Sequence, residues 1–100
     1  MLEIVLHGCD VSYGARDFDI VKKWTYLLFD EFFDQGDNEK ELKIPVSFLC
    51  DRSTVNVPKS QPGFLNFIVM PLWSSIKDVL PKTKFVAAQS AMTVKKWSEY

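Results

Sequence analysis

Two places in this 100-residue chain hold residue types that could do chemistry. The first is Gln61, within the stretch KSQPGFLNFIV (residues 59–69). It precedes Phe64 and Leu65 by three and four positions, so on a helix its amide shares a face with large apolar side chains. A buried amide left without partners costs roughly 1–3 kcal/mol. Gln61 must therefore pair within the protein, the usual arrangement for buried polar groups, or meet a ligand. The second place is the run His7, Cys9, Asp10. All three types ligate metals, yet a closed site needs about four converging ligands, and His7 is the one histidine in the chain. On spacing alone Asp10 reads as a helix-end carboxylate. No Ser-His-Asp set and no glycine-rich phosphate loop is present.

The elements that must position these residues read as helices. Leu2, Val5, Leu6 and Cys9 recur at helical spacing, which predicts a helix over 1–10 with that face buried. No capping residue precedes it, which suggests a chain that opens inside a larger structure. After a polar loop, Asp17 or Asp19 caps a long helix whose face is Ile20, Val21, Trp24, Leu27, Leu28, Glu31 and Phe32, with Gly36 placed to end it. The charged stretch DNEKELK predicts a short solvated helix from about Asp37, and residues 44–57 read as loop. A third helix begins near Pro58, with Phe64, Leu65, Ile68, Leu72, Trp73, Ile76 and Val79 on its face. Pro71 should bend it midway and Pro81 should close it. A last helix covers Phe85 to Trp97. No strand pattern competes, so the expected class is all-α. The aromatic residues Trp24, Phe32, Phe33, Phe64, Phe67 and Trp73 read by default as core packing.

Composition narrows the function. Twelve basic against thirteen acidic residues give a net charge of -1 with no basic stripe, which argues against nucleic acid as a partner. Cys9 and Cys50 form no CxxC pair and read as reduced thiols of an intracellular, cytoplasmic protein. Glu3 stands where a signal peptide carries basic residues, and no apolar run is long enough to span a bilayer.

Larger blocks carry a resemblance. LHGCDVS, KKWTYLLFDEFFDQGDNEKEL, PVSFLCDR and KSQPGFLNFIVMPLW follow in order from about Leu6 to about Leu80, and together they resemble the C-terminal part of the catalytic domain of class I 3′,5′-cyclic nucleotide phosphodiesterases. The resemblance implies that residues 1–100 are a partial, all-α catalytic domain lacking the N-terminal metal-binding part. It implies hydrolysis of cAMP or cGMP to the 5′-monophosphate by a complete domain using two divalent metal ions (Zn and Mg or Mn), which this chain alone is not expected to bind. The general acid falls outside the chain, so no catalytic residue is assigned here. Asp10 matches a metal-ligating aspartate and His7 the histidine of the same motif, not itself a principal ligand. Gln61 matches the glutamine that hydrogen-bonds the purine. Phe64 and Leu28 match the two sides of a clamp on the base. Trp24, Thr25, Glu31, Phe32 and Ser60 match residues that line or support the pocket. Tyr13 and Gly14 stand where many members carry Asn-Pro after the aspartate motif, and that Asn contacts the base in some of them. The partners implied are the cyclic nucleotide and the absent N-terminal part or other protein chains. The alternative is a non-catalytic helical module retained for interaction or scaffolding.

Overall fold

The computed structural model describes residues 2–100, and among them the secondary structure is helical with no strand. Helix α1 is Leu2–Asp10, α2 is Phe18–Glu41, α3 is Val57–Phe64, α4 is Met70–Val79 and α5 is Lys84–Glu99. A 3-10 turn at Ser12–Ala15 links the first two, and a π-turn at Leu65–Val69 joins α3 to α4 without a break.

The core gathers Val11, Val21, Leu65, Val69, Trp73, Ile76 and Trp97. Its centre is α5, whose Ser90, Thr93 and Trp97 are buried. Small residues at the first two positions let the neighbouring helices approach closely. Trp97 meets the Phe18 ring edge-on with centroids 5.0 Å apart and Tyr100 at 5.4 Å, a geometry that aromatic quadrupoles favour.

The buried faces differ from those that periodicity picks out. On α1, Leu2, Leu6 and Cys9 are exposed. Contact is made from the other side, at Gly8, where an added Cβ would lie 2.8 Å from Ile76 Cδ1 and 3.3 Å from Trp73 Cζ2. On α2 the covered stripe is Val21, Thr25, Phe29 and Gly36, while Ile20, Trp24 and Leu27 face outward, Trp24 at 58% exposure. A helix with apolar residues on two sides does not say which side is covered, and Thr25 disguised the buried one by its polar type.

Two expected boundaries also move. Gly36 does not end α2, and the charged stretch after it continues the same 24-residue helix. The loop 42–56 folds back on α2 and sets the Cys50 carbonyl against Gly36, so that a Cβ there would lie 2.7 Å from the carbonyl carbon. Helix α3 starts at Val57, where the Asn56 side chain accepts a hydrogen bond from the Lys59 N–H at 3.1 Å. This cap leaves Pro58 inside the first turn, where its missing N–H costs nothing. The expected irregularity near Pro71 sits one turn earlier: the Met70 N–H bonds the Leu65 carbonyl, five residues back. Proline cannot donate to the Phe67 carbonyl and its ring crowds it, and the wider turn gives that carbonyl room.

Many large apolar residues stay outside, among them Leu2, Leu6, Leu27, Phe67 and Phe85. The radius of gyration is 14.9 Å against about 13 Å for a compact domain of this length. The molecule is a slab of 47 × 32 × 19 Å, and these faces stay uncovered.

The two helical glycines of α2 and α3 should respond to alanine with opposite signs. Gly63 has nothing within 4 Å of an added Cβ, so Gly63→Ala should stabilise by about 0.5–1 kcal/mol through helix propensity. Gly36→Ala gains the same propensity but drives a methyl into backbone, and overpacking of this kind costs about 1–3 kcal/mol. Its melting temperature should fall while that of Gly63→Ala rises. A stabilised Gly36→Ala would show that the loop is not seated on α2.

Candidate functional site

A pocket of about 330 Å³ opens between α2, α3 and the loop 42–56, lined by Tyr13, Leu28, Phe29, Phe32, Phe48, Leu49, Gln61, Phe64 and Ile68. Seven of these nine side chains are apolar; Gln61 and Tyr13 carry its side-chain polar groups. Leu28 and Phe32 come from one turn of α2, and Phe64 and Ile68 sit four apart across the junction of α3 and the π-turn.

Gln61 is 3% exposed. Its Nε2 donates to the Ser60 hydroxyl at 3.2 Å, and that hydroxyl donates to the Val57 carbonyl at 2.7 Å. Both partners lie in its own helix. No described residue from another element engages the amide, and Oε1 accepts no hydrogen bond among the described residues. Burial holds the Tyr13 phenol above its ordinary pKa, so at neutral pH it remains a neutral donor.

Most of the residues singled out by sequence converge. Tyr13, Leu28, Phe32, Gln61 and Phe64 line this one pocket, and Ser60 lies beside it, in an adjoining hollow that shares Phe48, Leu49, Phe64 and Ile68. Four do not join them, the first being Glu31, which is exposed on α2. Trp24 faces outward. Thr25 is fully buried one turn before Phe29, with its Oγ1 unpaired among the described residues. Asp10 is exposed at the end of α1. No three of the described His, Cys, Asp and Glu residues come together as a metal site, so the residues present do not by themselves fit a metal pair.

Sequence reasoning missed Phe29, Phe48, Leu49 and Ile68 as pocket residues, the last read only as part of the packing face of the third helix. Phe29 lies three before Phe32 on α2, a spacing that could have found it. Phe48 and Leu49 gave no periodic signal, because they belong to a loop whose path is set by charges on α2. There Glu39 accepts from the Ser47 N–H at 3.0 Å and from its hydroxyl at 2.6 Å. Lys40 reaches Asp51 at 2.9 Å. Arg52 pairs with Asp37 at 2.7 Å and Asp34 at 3.4 Å, with its guanidinium 5.6 Å from the Phe33 ring centroid. The charge cluster read as a solvated surface is exposed, and it also fastens the loop.

With this geometry in hand, comparison with known proteins defines the class. The 3′5′-cyclic nucleotide phosphodiesterase family model matches residues 1–90, and the chain belongs to that family. A Drosophila melanogaster protein named dual specificity calcium/calmodulin-dependent 3′,5′-cyclic nucleotide phosphodiesterase 1 is 48% identical over 80 residues, which is 80% of this chain and 10% of that protein. The Bos taurus protein 1B of the same description is 44% identical over 82 residues, 82% of this chain and 15% of its own length. The solved structure of LmjPDEB1 in complex with IBMX superposes with a TM-score of 0.89 at 27% identity, over 97% of this chain and 30% of that one. The chain thus spans a small part of the relatives that it matches, and its fold is that of the corresponding part of a phosphodiesterase catalytic domain.

The carboxylates that hold the loop make its attachment acid-sensitive. The Ser53 hydroxyl, then Lys40 and the Ser53 N–H, lower Asp51 to about 2, and the two Ser47 hydrogen bonds hold Glu39 below its ordinary value. Lowered carboxylates give stability that is complete above their unfolded pKa and is lost as pH falls through the folded one. The loop should therefore stay seated at neutral pH and release progressively from the ordinary carboxylate range down towards pH 2. The amide proton shifts of Ser47 and Ser53, followed by NMR on acidification, should titrate below that range. A Ser53 midpoint at the value of a free aspartate would contradict the Asp51 contacts.

Proposed function

We propose that this chain supplies the purine-binding wall of a complete domain that hydrolyses 3′,5′-cyclic nucleotides to 5′-monophosphates. The observation that supports it most directly is Gln61: a buried amide without a long-range protein partner, in an otherwise apolar pocket, flanked by Phe64 and Leu28. A flat base fits such a site. Its faces meet Phe64 on one side and Leu28 on the other, and its polar edge meets the Gln61 amide, which can both donate and accept. Such an amide serves the edge of adenine or of guanine, so cAMP and cGMP are both candidate substrates. Tyr13 adds a donor to the same pocket. Ser60 supports the amide from behind, and Phe32 contributes apolar wall.

The phosphate chemistry belongs to residues outside this chain. Divalent metals of the kind that the family uses would need further ligands, and the part of Asp10 is to offer one carboxylate oxygen, a suitable donor for a hard cation. The two free thiols, one of them exposed, support an intracellular setting. No helix among the described residues is long and apolar enough to cross a membrane.

Mutation of the amide separates recognition from packing. Within a complete domain, Gln61→Ala should weaken cyclic nucleotide binding by about 1–3 kcal/mol. The ligand-free melting temperature should hardly change, because Ser60 keeps its bond to Val57 when the amide is removed. Phe64→Ala is the control: the ring packs against the core while remaining half-buried, so it should lose nucleotide affinity and also about 2 kcal/mol of stability. A Gln61→Ala variant that melts much lower yet binds nucleotide normally would return the residue to the core and favour the scaffolding alternative.

A further inference from the structure

Phe48 and Leu49 form part of the pocket but do little to hold themselves there. Phe48 is 89% exposed. Leu49 has φ of 65°, in the left-handed region that residues with a Cβ avoid. A two-residue tip with an exposed aromatic and an unfavourable backbone keeps its place only if its ends are fixed. Both are. On one side Glu39 takes the N–H and the hydroxyl of Ser47 in a two-point grip. On the other the Cys50 carbonyl rests on Gly36, and the Cys50 thiol reaches back to the Phe48 carbonyl at 3.5 Å.

We propose that Glu39 is a positioning residue for this pocket: acting through Ser47, it holds Phe48 and Leu49 as a wall beside Phe64 and Ile68, and so sets ligand affinity without touching the ligand. The Gly36 contact fixes only where the loop returns to α2. The grip on Ser47 fixes the direction from which the tip leaves, and two hydrogen bonds to one carboxylate restrict rotation in a way that one would not. Gln35 closes the arrangement from the previous turn of α2, its amide 3.5 Å from the Ser47 hydroxyl. The proposal rests on the pocket being the base site for its ligand, but not for the grip itself.

Both parts can be tested in a complete domain that contains this chain, with methyl-labelled leucine and isoleucine. Glu39→Gln and Ser47→Ala should each move the Leu49 methyl signals towards averaged positions and weaken cross-relaxation between Leu49 and Ile68. The double variant should be no worse than either single one, and Ser47→Thr, which keeps both donors, should resemble the unaltered protein. Titration with cAMP should show dissociation constants raised on the order of two- to tenfold in each single variant, with no further rise in the double and little change in melting temperature. Unmoved Leu49 signals in Glu39→Gln, or additive effects in the double variant, overturn the grip. Failure of the unaltered complete domain to bind either cAMP or cGMP at millimolar concentration overturns the base-site reading, and the methyl signals still decide the grip.

Discussion

The contact between the Cys50 carbonyl and the bare backbone at Gly36 governs how the site half of the molecule is built. Any side chain at residue 36 would hold the returning loop off α2. With the loop held off, Ser47 could not reach Glu39, nor Asp51 reach Lys40, since hydrogen bonds weaken steeply beyond about 3.2 Å. Those contacts are exposed, and single exposed ion pairs contribute little to stability. Their number and spacing along two turns of α2 matter more than the strength of any one, because together they define a single path for the loop. The backbone contact sets the distance and the charges set the register.

The opposite wall follows a different principle. From Val57 to Val79 the chain is one continuous helical rod, and it serves two environments. Leu65, Val69, Trp73 and Ile76 pack into the core, while Phe64 and Ile68 line the pocket. The π-turn shifts the angular phase between the two halves of the rod, so that buried positions recur at Gln61, Leu65, Val69 and Trp73 at a spacing of four. An uninterrupted α-helix with 3.6 residues per turn would drift away from that stripe. Pro71 provides the local reason for the wider turn, and the pocket inherits its geometry from it. Insertions of this type occur often where helices carry functional residues.

How much of this could be read from the sequence depended on what carried the information. The all-α class and the existence of each long helix were legible in periodicity, and the convergence of Gln61, Phe64, Leu28, Phe32 and Tyr13 was legible in the family's motifs. Which face of α1 and α2 is covered was not, because both helices carry apolar residues on more than one side. Gly36 was read as a stop signal, since local rules treat a helical glycine as an end and cannot see a backbone approaching from fourteen residues away. Phe48 and Leu49 escaped for a related reason: their place is fixed by side chains of another element, and neither composition nor period records such a dependence.

The three tryptophans divide between interior and surface. Trp73 and Trp97 are buried, with ring nitrogens that have no partner among the described residues, whereas Trp24 stands on the outer side of α2. The chain thus carries two kinds of intrinsic fluorophore. The core pair should emit at short wavelength and resist a soluble quencher, and Trp24 should emit at long wavelength and be quenched readily. A body that covers the outer side of α2 would change the second signal and leave the first alone, whereas unfolding would change both. Emission colour therefore distinguishes docking from loss of structure without any added label.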